Sequence, residues 1–231
     1  MTTHHTSYLI PHTSKLDNMK FFKLSYLLFA LGALTAIFSC KDEELSPYLE
    51  PETAVHGWGR LATAGFTAGD MNQHVGIDFQ WNSIDGENTV TKIEFFVFFD
   101  EDYVDLEGND RTAEHGGDYF DYTPNRGKLI KTLEGGSIPA NRTDTHFEVS
   151  QAEVLGLYNA AQFDYGKGSV SVFSNPDKPT RTGASPFIGD DHFLLGWIIY
   201  TEDGRKFDAW SPSICAEEFP NSSCYVEWGV Q

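Results

Sequence analysis

Hydrophobic and polar residues alternate over Gln73–Trp81, where Val75, Ile77, Phe79 and Trp81 share one face and Gly76, Asp78 and Gln80 the other. A period of two predicts a half-buried β-strand. Over Val90–Phe99 the pattern changes: Ile93, Phe95, Val97 and Phe99 fall on one face, but Phe96 and Phe98 make the second face apolar as well. A strand with two apolar faces has to be covered on both, which predicts a place at the centre of a sheet. Phe193–Tyr200 and Arg205–Trp210 flank Glu202-Asp203-Gly204. An Asp-Gly pair between two strand-like runs predicts a hairpin, because glycine accepts the positive φ of the turn. Further strands are predicted at Lys128–Leu133, Thr145–Val149, Ser169–Phe173 and Cys224–Val230, with another around Trp58–Thr67. Ser150-Gln151-Ala152-Glu153 has the spacing of a capping box, and Val154, Leu155 and Tyr158 supply an apolar face, so one short helix of about two turns is expected. Several short strands separated by turn residues, without alternating long helices, predict an all-β fold: an antiparallel two-layer β-sandwich.

The N-terminal region follows another pattern. Lys20 and Lys23 open an apolar stretch, Leu24–Phe38, that ends at Cys40 and is followed at once by Lys41-Asp42-Glu43-Glu44. About 15 apolar residues fall short of the roughly 20 needed to cross a bilayer as a helix. A positive start, an apolar middle and a cleavage position before a small residue are the parts of a secretory signal. Residues 1–18 then read as a disordered upstream extension, 19–39 as a lipoprotein signal peptide, 40–53 as an acidic tether and 54–231 as one β-sandwich domain. Cys40 is the expected lipidation site, and the expected anchor is acyl chain in a membrane, each buried methylene contributing about 0.8 kcal/mol.

Charge narrows the partners. The chain carries 16 Lys and Arg against 34 Asp and Glu, a formal net charge of −18. Nucleic-acid binding needs clustered cations that displace counterions from phosphate, so it is excluded as the expected function. The 14% aromatic content requires a core, so the acidity belongs to a folded surface rather than to a disordered chain. Cys215 and Cys224 stand beside Pro220 and Asn221 in a loop, and an extracytoplasmic address permits a disulfide between them.

Two segments carry candidate chemistry. The acidic run from Asp100 to Asp110 follows the strongest strand, and Asp105, Glu107, Asn109 and Asp110 around Gly108 offer the oxygen ligands that calcium takes, although the spacing is not that of an EF-hand and a solvated acidic loop is the plain alternative. The segment Glu114–Tyr122 mixes glycines with rings. There Tyr119, Phe120 and Tyr122 offer faces for sugar stacking, and Asp118 and Asp121 offer acceptors for sugar hydroxyls; the alternative is that the loop folds its rings back onto the sandwich. No His-Glu-x-x-His, Gly-x-Ser-x-Gly or phosphate-loop motif occurs, so no cofactor is called for beyond the calcium candidate and the chain is expected not to be an enzyme. The histidines at 56, 74, 115, 146 and 192 are isolated in sequence and expected at the surface or capped.

Ile37-Phe38-Ser39-Cys40 resembles the lipobox of bacterial lipoproteins, and Lys41-Asp42-Glu43-Glu44 resembles the surface-export signal of Bacteroidetes-type lipoproteins. Together with the Phe95-Phe96-Val97-Phe98-Phe99 strand and the Thr201–Phe207 hairpin, the chain resembles the starch-utilisation-system E-type accessory lipoproteins. The resemblance implies an immunoglobulin-like sandwich, lipid-anchored at the outer membrane and exposed at the cell surface. It also implies glycan binding as a non-catalytic partner of an outer-membrane uptake complex. The other expectation is a structural or adhesion module that meets a protein partner and is stiffened by calcium.

Overall fold

A computed structural model describes residues 54–83, 86–119, 127–209 and 224–231. The expectations for residues 1–53, including Cys40, and for Phe120, Asp121, Tyr122, Trp210 and Cys215 lie outside the described residues. The folded domain, Thr53–Gln231, is all-β with one short helix. Its strands are β1 (Val55–Leu61), β2 (His74–Ser83), β3 (Val90–Val104), β4 (Asp110–His115), β5 (Lys128–Glu134), β6 (Thr145–Ser150), β7 (Gln162–Asp164), β8 (Ser169–Ser171), β9 (His192–Thr201), β10 (Lys206–Asp208) and β11 (Val226–Gly229), and helix α1 is Gln151–Tyr158.

Every pairing between these strands is antiparallel. One sheet has the order β1-β2-β6. The other is built on the β3·β9 pair, whose register runs from Val90↔Thr201 to Asp100↔His192. β3, 15 residues long, is shared along its other edge by two shorter strands: β5 pairs with Lys92–Val97 and β4 with Phe99–Val104. β9 is shared in the same way by β10 and β11. The layers are joined where Phe66, in the chain after β1, bridges Val230 in parallel: Phe66 N–H donates to the Gly229 carbonyl (3.0 Å), and Gln231 N–H donates to the Phe66 carbonyl (2.7 Å). A three-stranded sheet packed on a second sheet centred on β3 and its long-range partner β9 is an antiparallel two-layer sandwich.

Alternation fills the space between the layers. Val75, Ile77, Phe79 and Trp81 from β2 meet Ile93, Phe95, Val97 and Phe99 from β3 and Phe193, Leu195, Trp197 and Ile199 from β9, all of them buried. Phe79 lies edge-on to both Phe95 (4.9 Å) and Trp197 (5.2 Å), the geometry that aligns ring edges with ring faces. Trp197 also dictates β1. A Cβ at Gly57 would fall 2.1 Å from its Nε1 and one at Gly59 2.9 Å from its Cζ3, so only glycine lets β1 close over the indole.

The turn chemistry agrees with the pattern. Gly204 has φ +84° in the β9–β10 turn, closed by Gly204 N–H donating to the Thr201 carbonyl (3.0 Å). Ser150 caps α1: its Oγ accepts from Glu153 N (3.2 Å) while Glu153 Oε2 accepts from Ser150 N (2.8 Å), an arrangement that contributes about 0.5–2 kcal/mol. The structure corrects the expectation of a long acidic loop after Phe99. β3 continues to Val104 and returns as β4, because Glu101 points inward to buried partners that offset its charge.

Candidate functional site

The outward face of the β1-β2-β6 sheet is polar, with one large, half-buried ring, Trp58, on it. β1 turns His56, Trp58 and Arg60 outward because Val55, Gly57 and Gly59 are buried. β2 turns Asp78, Gln80 and Asn82 outward opposite its buried aromatic side. Register sets these side chains in rows: His56 beside Asn82, Trp58 beside Gln80, Arg60 beside Asp78, and Asp78 beside His146 on β6. Arg60 grips Asp78 with Nη2 at 2.9 Å and Nε at 3.0 Å and lies over the Trp58 ring, 5.5 Å from its centroid. His146 Nδ1 is 2.8 Å from the other Asp78 oxygen. These partners, His146 foremost and then Arg60, hold the Asp78 carboxyl below its usual range. In the next rows Gln80 Nε2 donates to Asp144 (3.2 Å), and Arg142 Nε donates to Asn82 Oδ1 (2.9 Å). The Trp58 indole N–H, Gln80 Oε1 and Asn82 Nδ2 have no hydrogen-bond partner among the described residues.

A second constellation is sealed inside. Glu101 on β3, His115 on β4, and Arg181 and Asp191 on the long connection before β9 have side chains at most 3% exposed. Arg181 forks onto Asp191 (2.8 and 3.0 Å), reaches Glu101 with Nη2 (2.7 Å) and donates to the Pro186 carbonyl (2.5 Å). Glu101 further accepts from Asn175 Nδ2 (2.8 Å) and the Tyr165 hydroxyl, and its Oε1 lies 2.8 Å from His115 Nε2. Burial alone would raise the Glu101 pKa, but the hydrogen bonds from His115, Tyr165 and Asn175 and the charge of Arg181 outweigh it and hold the carboxyl below its ordinary value. Asp191 is pushed up, chiefly by burial, against the pull of Arg181. Two carboxylates, a guanidinium and an imidazole are the ingredients of acid–base chemistry; here they bond to one another and to Asn175, Tyr165 and the Pro186 carbonyl, while Arg181 Nε is buried without a partner among the described residues. What they do is pin the 175–191 connection to β3 and β4. His115 is therefore a buried histidine capped by Glu101, the second of the two placements expected for it rather than the surface one.

The two loops singled out from sequence have other work. Asp105 closes the β3–β4 turn as an acceptor for Glu107 N (3.0 Å), Asn109 N (2.8 Å), Asn109 Nδ2 (3.2 Å) and Arg111 Nε (2.9 Å). These donors, Asn109 N–H first, hold its carboxyl well below the usual range. A carboxylate already saturated with N–H donors and paired with a guanidinium has no lone pairs aimed at a cation. Glu107, Asn109 and Asp110 are exposed around it, and no group of three His, Cys, Asp or Glu side chains among the described residues is placed to hold a metal. Asp105, the first of the four residues expected to hold calcium, is thus engaged by protein donors.

Tyr119 is 4% exposed. Its ring meets Phe98 edge-on (5.1 Å) and Tyr225 (5.5 Å), lies against Gly196, and its hydroxyl donates to the Cys224 carbonyl (2.5 Å). The ring folds back onto the sandwich, covering the second apolar face that Phe96 and Phe98 give β3, and so does not present a free face for stacking. Asp118 is half-buried beside it and belongs to an acidic group around Asp100. The Asp100 Oδ1 atom is buried without a hydrogen-bond partner, and burial, with the charges of Glu114, Asp118, Glu227 and Asp102, pushes its pKa up to about 7. Cys224 is buried in the same cluster as Phe98, Tyr119 and Leu194.

Sequence reasoning missed both the ion network and the polar sheet face. The members of the network are scattered from Glu101 to Asp191, and no local spacing links them. The sheet face had a faint signal, since residues 55–60 alternate, but the inward positions are Val-Gly-Gly rather than bulky apolar residues, and the period is hard to see. Comparison with protein-family models finds no family that matches the chain, and comparison with curated proteins finds no match either. No helix among the described residues is long and apolar enough to cross a membrane.

Proposed function

We propose that this protein is a non-catalytic surface lipoprotein, held to the outer membrane by acyl chains on Cys40, that binds glycan as an accessory to polysaccharide uptake. The observation that carries the reading is the division of labour in the sandwich. The acid–base residues are buried together in the interior, whereas the outward side of one sheet is polar, with half-buried Trp58, Gln80 and Asn82 among exposed neighbours. A face with an apolar ring and amide groups suits a hydroxyl-rich ligand, which presents C–H surfaces and hydroxyls together. On this reading residues 40–53 are the acidic tether that follows the lipidated cysteine. A Cys215–Cys224 disulfide belongs to the same reading, Cys224 being buried in one cluster with Tyr119.

The test uses the chain from residue 40 onward with Cys40→Ser, run by affinity electrophoresis through gels containing starch, xylan, mannan or β-glucan. Retardation by at least one polysaccharide is expected, and free migration through all of them would overturn the glycan reading. Mass spectrometry of the protein extracted from its native membrane is expected to find the N-terminus at an acylated Cys40; an unmodified thiol with the leader attached would overturn the anchor.

A second reading, a module that meets a protein partner, is favoured by one feature. Val104 and Leu106 at the β3–β4 turn and Val170 on the β7–β8 hairpin are exposed apolar side chains on neighbouring hairpins, Leu106 lying against Gly166. Photo-crosslinking from position 106 on intact cells tests it, a single defined adduct being the expected result.

A further inference from the structure

We infer that the outer face of the β1-β2-β6 sheet is the sugar-contact surface, with Trp58 as the stacking platform and a chain of uncharged pyranose units as the ligand; this rests on the glycan reading above. Three observations converge on it. The first is placement: the indole stands on the polar side of a sheet whose opposite side is fully packed, so the core makes no use of it. Large rings are placed on a solvent-facing sheet at a cost in exposed apolar area, and a solvent-facing ring edged by polar groups is a contact surface in waiting.

The second is immobilisation. The guanidinium over the Trp58 ring is itself held by two contacts to Asp78, and Asp78 is held on its far side by His146. A ring fixed in this way loses little side-chain freedom when a sugar covers it, which favours binding. The guanidinium lies over the half-buried ring, and the C–H side of a pyranose is assigned to the ring face turned away from it.

The third is the pattern of unused valences. Gln80 lies directly across from Trp58, with Cβ atoms about 5 Å apart at that register. Its free Oε1 accepts from a hydroxyl of the stacked unit. One row along, about 6.6–6.8 Å away, the free Asn82 Nδ2 donates to the neighbouring unit. Charge selects the class of glycan. Arg60 is neutralised by Asp78, and the −18 charge of the whole chain opposes polyanionic glycans that carry uronate or sulfate.

Isothermal titration with maltohexaose, cellohexaose, xylohexaose and mannohexaose tests the assignment on the Cys40→Ser chain, with Trp58→Ala, Trp58→Phe and Gln80→Ala alongside. Trp58→Ala is expected to raise the Kd of the bound oligosaccharide about tenfold, since a stacked ring contributes about 0.5–1.5 kcal/mol and 1.4 kcal/mol is tenfold in affinity. Trp58→Phe should restore part of the loss, and Gln80→Ala should weaken binding about three- to tenfold. All three variants are expected to melt with the parent, which separates a lost contact from a lost fold. Binding that is unchanged in Trp58→Ala and Gln80→Ala would overturn this surface while leaving the glycan reading in place. No heat from the parent with any of the four probes, together with free migration in the polysaccharide gels, would overturn both.

Discussion

Arg181→Met isolates the energetics of the buried ion network. The thioether keeps most of the side-chain length but removes the guanidinium. Glu101 retains His115, Tyr165 and Asn175, whereas Asp191 keeps only the Ile188 N–H (2.9 Å) in a site with no measurable exposure. Breaking a buried pair in this way costs about 3–5 kcal/mol, because an unpaired charge stays behind in low dielectric. For a domain of this size each kcal/mol shifts Tm by about 2–4 °C, so a fall of about 6–20 °C is expected. The sign with pH follows from Glu101. Its folded pKa lies below the ordinary 4.5, so its stabilising contribution is present above that value and lost as pH falls through the lower one. The gap between Arg181→Met and the parent should therefore be widest near pH 7 and narrow toward pH 3. Calorimetric melts across that range, with hydrogen exchange following residues 175–191, make the measurement. Replacing Arg181, Glu101 and Asp191 together by Met, Gln and Leu should recover part of the loss, since no orphan charge then remains. If Arg181→Met melted within about 1 °C of the parent at neutral pH, the network would not be what holds that connection down.

Other outcomes follow from the same geometry. Asp100 is the reverse case: its folded pKa of about 7 lies above the ordinary 3.8, so it favours folding when protonated and that advantage disappears as pH rises from about 4 through 7. Asp100→Asn should thus be more stable than the parent at pH 8 by on the order of 1–4 kcal/mol and gain little at pH 4; equal gains at both, read from urea titrations, would contradict the assignment. Millimolar calcium should leave Tm unchanged, because Asp105 is already saturated by Asn109, Glu107 and Arg111; a calcium-dependent rise would restore the metal reading. Intact-mass analysis before and after reduction and alkylation should show Cys215 and Cys224 alkylated only after reduction, and reduction should lower stability by about 2–3 kcal/mol.

The sequence by itself determined the fold class. Alternation at Val75–Trp81 and Ile93–Phe99, the Asp203-Gly204 turn and the Ser150–Glu153 cap are local signals, each readable from neighbours within a few residues, and each element formed near its expected place. The two-faced apolar pattern of Phe95–Phe99 also foretold a strand covered on both sides, and Tyr119 follows the alternative given for its loop, a ring folded back onto the sandwich. Only the tertiary structure decided what the polar residues do. Acidic residues at 100–110 look alike in sequence, yet one is drawn into the interior by an arginine 80 positions away, one closes a turn, and one is left unpaired in a crowd of like charges. The same holds for rings: contact with Phe98, Gly196 and Tyr225 buries Tyr119 against the sandwich, whereas strand register turns Trp58 to the outer face of the β1-β2-β6 sheet. Apolar periodicity is a local consequence of backbone geometry, whereas the fate of a charge or a ring depends on which distant groups the folded chain brings within hydrogen-bonding distance.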